Sequence, residues 1–185
     1  RSQCFPDSGL HKLRAAWQMN PIERKHMVDL GTATLRFQNA ISTAGDDESS
    51  WQALRELAAV SPGCKLFTVM TVDMQAGLAR RAFTSHPAQY PVSGTKPIHQ
   101  DSWFDIVHGQ KRSFVANTIE DISRVFPDHE LIASLGCGSV HNLPVVIMGE
   151  LVATINMLDE AHHYTPERVA AAEALLHVPA RLCWA

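Results

Sequence analysis

Apolar side chains in the first third of the chain recur at intervals of three and four residues, as they do along one face of a helix. Asn20 and Pro21 are typical of a helix start, a capping residue followed by proline, and the spacing predicts a helix to about Ala44. A second helix is predicted with Trp51 facing inward, and Pro62 ends it. The chain therefore begins with two amphipathic helices.

Beyond Cys64 the pattern changes to β-branched and aromatic residues, which are typical of strands. Residues 64–73 predict one strand, and Gly77 allows a turn into a hairpin partner at residues 78–85. Residues 86–97 contain three prolines and a glycine, so we expect a long loop there.

Short elements are predicted in the middle and at the end of the chain. Asp101, Asn117 and Asp128 are residue types that cap helices, and each precedes a short helical pattern. Pro166 begins a final helix, which Pro179 is expected to kink or end.

The segment 134–158 predicts a buried β-hairpin. Two apolar runs flank Met148 and Gly149, and the glycine can adopt the positive φ that a tight turn needs. A two-residue turn puts Ile147 opposite Glu150, which fixes the register of the two strands.

This register divides the hairpin into two faces. One face, which includes Asn142 and Ile155, is nearly all apolar, whereas the other sets His141, Thr154 and Asn156 among apolar neighbours. Such a sheet suits helices on one side and a partly polar ligand cavity on the other. The alternative is that neighbouring backbone groups satisfy these polar side chains.

The order of elements is two helices, a hairpin, a loop-rich middle, a second hairpin and a closing helix. This order favours an α+β fold with an antiparallel sheet. With 185 residues, 45% of them hydrophobic, the chain is long enough for one well-packed domain. We assign residues 1–19 to an N-terminal lead-in segment and residues 20–185 to a single domain.

The charge and the cysteines indicate which binding partners and which cellular compartment to expect. The formal net charge is -3 with acids and bases interspersed, so neither nucleic acid nor a membrane surface is expected as a partner. No apolar run approaches the roughly 20 residues of a membrane helix. The 4 cysteines are scattered without a CxxC pair, which favours free thiols in a reducing cytoplasm.

The order of these motifs resembles that of GAF domains, which are small-molecule sensor modules related to PAS domains. The likeness extends from about residue 20 to residue 182 and includes CKLFTVMTVD, YPVSGTKP with the helix around Trp103, FVANTIED, SLGCGSVHNLPVV, and ELVATINML before YTPERVAAAEALL. It implies a six-stranded antiparallel sheet with the first and last helices packed together on one face. Residues 86–136 would fold over the other face as the wall of a ligand pocket.

The resemblance also implies a set of ligand-binding residues. From the sheet, the pocket would take His141, Thr154 and Asn156. The covering segment would contribute Tyr90, Trp103, Asn117, Phe126, Leu131 and Cys137. Cys137 is a candidate for a redox-active or ligand-contacting thiol, and its alternative interpretation is a small, buried, apolar residue.

The sequence departs from several GAF subfamilies. The spaced Asn-Lys, Phe and Asp-Glu pattern of cyclic-nucleotide domains is not found, and neither Cys64 nor Cys137 is followed by the histidine common in bilin-binding domains. Free methionine sulfoxide reductases use cysteines at close quarters, whereas only Cys137 is expected near the pocket. The histidines of the pocket half leave haem or non-haem iron open as a cofactor: His86, His99, His108, His129 and His141.

Three functions from different classes follow. We expect a sensory or regulatory domain, without an output domain of its own, that binds an unidentified small molecule. It would form a homodimer through its first and last helices. The alternatives are a redox enzyme that uses Cys137 or a histidine-bound metal, for which the sequence offers no second convergent group, and a dimerisation module with an empty pocket.

Overall fold

A computed structural model describes residues 20–93 and 95–184 of the chain. The helices in this part are α1 (Pro21–Thr43), α2 (Asp47–Val60), α3 (Ser102–Phe104), α4 (Ile119–Ser123), α5 (His129–Ser134) and α6 (Pro166–Leu182). α3 continues directly into a π-helical turn, Asp105–Gly109. The predicted lead-in segment, residues 1–19, lies outside the described residues.

The strands of the described residues form one antiparallel sheet. They are β1 (Leu66–Asp73), β2 (Leu78–Thr84), β3 (Thr95–Pro97), β4 (Phe114–Ala116), β5 (Ser139–Ile147) and β6 (Glu150–Asp159). Their spatial order is β3-β2-β1-β6-β5-β4, so the first and last strands pair at the centre. The predicted α+β architecture with an antiparallel sheet is confirmed.

α1 begins where the sequence predicts, because Asn20 forms a capping box with Glu23. The Asn20 side chain accepts hydrogen bonds from the N–H groups of Ile22 and Glu23, and the Glu23 carboxylate accepts one from the Asn20 N–H, each at 2.9 Å. The buried residues of α1 are Ala33 and Phe37, which pack towards α2. The resemblance implied that the first and last helices pack together; instead, α1 packs on α2, while α6 packs on β5 and α2.

The helices cover one face of the sheet through a core of large apolar side chains. Phe67, Val69 and Leu143 of the sheet are fully buried and belong to the same cluster as Leu54 and Leu57 of α2. Burying one such side chain contributes about 2 kcal/mol. This layer therefore determines which face of the sheet remains available for a ligand.

The segment between β2 and β5 covers the opposite face. Tyr90, Ile122 and Ile132 of this segment are buried in a second cluster with Val140 and Leu158 of the sheet. The covering segment is thus anchored by its own apolar contacts, and the space that these contacts leave beside them is the cavity described below.

The second hairpin has the predicted turn, but its register changes along the strands. Ile147 pairs with Glu150 as expected. Between Val145 and Val146 the register shifts by one residue, because Val152 is an additional residue on β6 without a partner on β5. Beyond such a bulge, each residue of one strand pairs with a residue one position further along the other strand. Side chains that an unbroken register would place on one face of the sheet therefore lie on opposite faces.

The bulge separates side chains that the sequence placed on one face. Asn142 pairs with Asn156 and lines the same cavity as Thr154, whereas His141 pairs with Met157 on the helix side. The predicted grouping of His141 with Thr154 and Asn156 is therefore wrong. A period of two along the sequence does not reveal the inserted residue.

Three local predictions also need correction. Thr118, not Asn117, caps α4, and the Asn117 side chain instead bonds the backbone of Tyr164. Of the two outcomes expected at Pro179, a kink or an end of the helix, the end does not occur, because α6 continues to Leu182. β3 forms within the predicted loop 86–97.

Candidate functional site

A cavity of about 170 Å³ lies between the sheet and the segment that covers it. The sheet contributes Thr68, Met70, Val72, Ala79, Arg81, Val140, Asn142, Thr154, Asn156 and Leu158. The covering segment contributes Tyr90, Pro97, Ile98, His99, Asp101, Trp103, Val125, Phe126, Pro127, Asp128 and Ile132. Most of these side chains are apolar, so the few polar groups decide which ligands fit.

A row of hydrogen-bonded side chains crosses the floor of the cavity. Trp103 Nε1 donates to Asn142 Oδ1 at 3.0 Å, and Asn142 Nδ2 donates to Asn156 Oδ1 at 2.6 Å. Asn156 Nδ2 donates to Thr68 Oγ1 at 3.2 Å. Strand pairing places the last three side by side, and Trp103 ties α3 to them. The row therefore positions the covering segment over the sheet.

The next row of the same face contains a hydroxyl without a partner. Thr154, Met70 and Arg81 lie directly opposite one another on β6, β1 and β2. Thr154 is 1% exposed, and among the described residues its Oγ1 has no hydrogen-bond partner. An unsatisfied buried group of this kind costs about 1 to 3 kcal/mol. The side chain of Thr154, which lines the cavity, thus carries an unused donor and acceptor.

Arg81 is held by two parts of the covering segment. Its guanidinium carbon lies 3.6 Å from the centroid of the Tyr90 ring, its Nη2 lies 3.5 Å from Asp128 Oδ2, and its Nη1 donates to the Pro91 carbonyl at 2.9 Å. The Tyr90 hydroxyl donates to the same Asp128 carboxylate. Burial and the Asp128 carboxylate raise the pKa of Tyr90, so the phenol remains protonated. The Arg81 Nε is buried without a partner in the part of the chain that the structure describes.

Asp128 precedes α5 as predicted, but it does not act as a side-chain cap. Its side chain makes no capping hydrogen bond. The carboxylate instead contacts Tyr90 and Arg81, which joins the two halves of the covering segment to β2. The positive charge of Arg81 is therefore already matched by one carboxylate.

Five of the sequence-predicted ligand-binding residues line this cavity, namely Tyr90, Trp103, Phe126, Thr154 and Asn156. The other four are placed elsewhere: Asn117, Leu131, Cys137 and His141.

Asn117 and Leu131 are separated from the cavity for simple reasons. The Asn117 amide bonds both the N–H and the carbonyl of Tyr164, so it fastens the start of α6. Leu131 is 40% exposed, because it lies on the outer side of α5, while Ile132 of the same helix faces inward.

His141 is completely buried on the helix side of the sheet. Its ring centroid lies 5.7 Å from that of Tyr164, and neither ring nitrogen has a partner among the described residues. Burial lowers the pKa of His141 to about 4, against the opposing effect of the Glu173 carboxylate, while His177 lowers it further. His141 is therefore neutral at physiological pH and remote from the cavity.

The cysteines of the described chain carry no activated thiol. Cys64, Cys137 and Cys183 are free. Burial raises the pKa of Cys137 to about 11 and those of Cys64 and Cys183 to about 12. Because the thiolate is the reactive form, these groups lack what a catalytic cysteine needs at neutral pH.

The histidines of the covering segment are dispersed. His99 lines the cavity, whereas the rings of His86, His108 and His129 contact Ser85, Phe104 and Phe126, respectively. Within residues 20–93 and 95–184, no three histidine, cysteine or acidic side chains are placed to hold a metal ion.

Four polar or flexible residues that the sheet contributes to the cavity were missed from the sequence: Thr68, Met70, Arg81 and Asn142. Thr68 and Met70 alternate along a predicted strand, so extending the two-face analysis to β1 would have found them. Arg81 is a charged residue inside a predicted strand, which is itself a signal. Asn142 was assigned to the wrong face because of the bulge.

The fold is similar to that of several solved structures. One is the GAF domain of a two-component sensor histidine kinase from Bacillus halodurans (12% identity, 70% of this chain and 90% of that chain, TM-score 0.56). Another is the GAF domain of a phosphoenolpyruvate-protein phosphotransferase from Coxiella burnetii (15% identity, 85% of this chain and 94% of that chain, TM-score 0.57). A third is a free methionine-R-sulfoxide reductase from Neisseria meningitidis (12% identity, 84% of this chain and 87% of that chain, TM-score 0.55).

These likenesses define the class of protein: the chain has the fold of a GAF domain. No protein-family model and no curated sequence matches the chain, so this conclusion rests on three-dimensional structure. Within the described part, no helix is both long and apolar enough to cross a membrane.

Proposed function

We propose that this GAF-fold chain is a sensory or regulatory domain that binds a small organic molecule between the sheet and the covering segment. The observation that carries the proposal is the buried Thr154 side chain, which lines a cavity of about 170 Å³ and whose hydroxyl has no partner among the described residues. A bound molecule that hydrogen-bonds this group would offset the cost of burying it.

The proposed ligand-binding residues are Tyr90, Trp103, Phe126, Thr154 and Asn156, with Arg81 and Met70 added from the geometry. The first two belong to the covering segment and also bond residues that hold it in place. A ligand beneath them would therefore bias the position of this segment, which is how occupancy would be transmitted to the rest of the chain.

The similar GAF domain of a sensor histidine kinase supports a sensory role, because that protein is named as part of a two-component system. The redox-enzyme alternative gains no support from the described thiols, whose pKa values are raised by burial.

We also propose that the domain forms a homodimer through its first and last helices, α1 and α6. Ile22, Val28 and Leu35 of α1 are 81%, 59% and 61% exposed, and Val178 of α6 is 61% exposed. The first twelve residues of α1 include no buried side chain. A helix with this much exposed apolar surface is typical of an interaction site. A cytoplasmic location is consistent with the free described cysteines.

A thermal-shift screen with small metabolites tests the binding proposal. At least one compound should raise the melting temperature of the wild-type domain, because a ligand that binds only the folded state stabilises it. Ala79 lines the cavity, so Ala79→Phe should fill it and abolish the shift. Arg80→Phe is the matched control, because the neighbouring Arg80 is exposed and should tolerate the same ring. Equal shifts in wild type and Ala79→Phe would contradict binding in this cavity.

A further inference from the structure

We infer that the ligand of this cavity is an uncharged molecule of about one substituted ring, with a hydrogen-bond acceptor at one end and a hydroxyl or similar group at the other. This inference rests on the proposed function and specifies its ligand. It depends on three properties of the site, namely its size, its charge balance and the positions of its two unpartnered polar atoms.

The size of the cavity limits the ligand to a small molecule. A dry protein cavity of roughly 150 Å³ is enough to hold benzene. The cavity here has a volume of about 170 Å³, and its apolar walls include Met70, Phe126 and Leu158. The space therefore suits a single ring with small substituents and not a nucleotide or a tetrapyrrole.

The charge balance disfavours ionised ligands. Among the described side chains that line the cavity, Arg81 is the single lysine or arginine, and Asp128 already lies 3.5 Å from it. Asp128 also accepts the hydrogen bond of the protonated Tyr90. An anion would meet an arginine whose charge is neutralised, and a cation would find the Asp128 carboxylate occupied. The second carboxylate of the lining, that of Asp101, is exposed, and its Oδ1 accepts the Phe104 N–H. Burying an unpaired charge is costly, so a neutral molecule fits better.

The two unpartnered atoms define where the ligand is polar. The Arg81 Nε–H can only donate, so it requires an acceptor such as a carbonyl oxygen. The Thr154 hydroxyl can donate or accept, so it suits a hydroxyl, an amide or a carbonyl. Without a ligand, each atom is buried and without a partner in the described chain.

The sheet sets the spacing of these two atoms. Thr154 and Arg81 pair with opposite sides of Met70, so their Cα positions are two strand spacings apart, roughly 10 Å. A ring that lies on the Met70 side chain would direct one substituent towards each of them. The neighbouring asparagine row is internally bonded from Trp103 to Thr68, so it serves as a fixed wall.

Four ring compounds of similar shape test the inference by calorimetric titration of the full chain. 4-Hydroxybenzamide carries both polar ends and no charge. 4-Methylbenzamide lacks the hydroxyl, 4-hydroxybenzoate is an anion, and 4-hydroxybenzamidine is a cation. We expect 4-hydroxybenzamide to bind most tightly, by about three- to tenfold over 4-methylbenzamide and by tenfold or more over the two charged compounds.

Thr154→Val removes the hydroxyl without changing the shape of the side chain. It should lower the affinity for 4-hydroxybenzamide by about three- to tenfold and leave that for 4-methylbenzamide unchanged. Thr71→Val is the matched control, because Thr71 is the neighbour of Met70 on β1 and does not line the cavity. This variant should bind all four compounds as the wild type does.

The outcomes separate this inference from the proposed function. Tightest binding of the benzoate or the benzamidine, with loss in Ala79→Phe, would overturn the neutral-ligand inference and leave the binding function intact. Equal affinities of the hydroxyl and methyl compounds, or no effect of Thr154→Val, would overturn the role of Thr154. If none of the four binds while other metabolites do in the thermal screen, the ligand class is wrong; if nothing binds in either experiment, the proposed function fails as well.

Discussion

The wild-type domain should lose stability in mild acid because of His141. Replacing His141 by leucine should remove this loss and should not destabilise the domain at neutral pH. His141 is fully buried, and both of its ring nitrogens lack partners among the described residues. A leucine of similar volume leaves no polar group to desolvate. Removing the unpartnered nitrogens should raise the free energy of unfolding by about 1 to 3 kcal/mol, and imperfect packing of the leucine should lower it by up to about 1.5 kcal/mol. The variant should therefore be equally or slightly more stable at neutral pH.

The acid effect follows from the pKa of His141. Burial lowers this pKa from 6.5 to about 4, while in the unfolded chain it returns to the ordinary value. Between these two values the unfolded state binds one more proton, so the free energy of unfolding falls as the pH falls through this window. At about pH 5, 1.5 units below the ordinary value, the loss is about 2 kcal/mol.

Urea denaturation of wild type and His141→Leu from about pH 7 to about pH 5 measures this difference, because subtracting the two curves removes the titration of the groups that do not interact with His141. The subtracted curve should change by about 2 kcal/mol over this interval. His26→Leu is the control, because it makes the same replacement at a residue that is exposed on α1.

A flat subtracted curve would contradict the burial of the His141 ring. It would mean that His141 titrates normally in the folded domain, as it would if it faced a hydrated cavity. The bulge at Val152, which turns His141 towards the helices, would then be misplaced.

Three further perturbations test other parts of the fold. Asn156→Leu should lower the free energy of unfolding by about 1 to 3 kcal/mol in urea titrations, because the row from Trp103 to Thr68 loses its central amide; a change below about 0.5 kcal/mol would contradict the row. Gly138→Ala should destabilise by about 1 to 3 kcal/mol, since its added Cβ would lie 3.0 Å from the Ala161 nitrogen, whereas Gly45→Ala, with nothing within 4 Å, should not. Leu35→Glu should shift a dimer to monomer in light scattering, and a wild type that is monomeric at high micromolar concentration would contradict the dimer.

The helices and strands could be predicted because their signals are local. Asn20 caps α1 and Glu23 returns the hydrogen bond, and the two residues are three positions apart in the sequence. The two-residue turn at Met148 and Gly149 likewise depends on neighbouring residues, and Gly149 has the positive φ expected of it. These features need no information about distant parts of the chain.

The cavity could be predicted only in part, because its decisive contacts join distant residues. The bulge at Val152 depends on how two strands pack, and it exchanged the faces of His141 and Asn142. Arg81 and Asp128 are 47 positions apart, and no periodicity in either segment indicates that they meet. Asp128 also has a complete local interpretation as a helix cap, which the sequence could not distinguish from its contact with Tyr90.

The most direct test of the central claim is a two-dimensional amide NMR titration of the domain with a compound that stabilises it in the thermal screen. We expect the shifted resonances to belong to the cavity, with the largest changes at Met70, Arg81 and Thr154 and in the segment around Tyr90 and Trp103. The resonances of α1 should stay in place. Shifts confined to α1 and α6, or shifts that persist unchanged in Ala79→Phe, would contradict a ligand site beneath the covering segment.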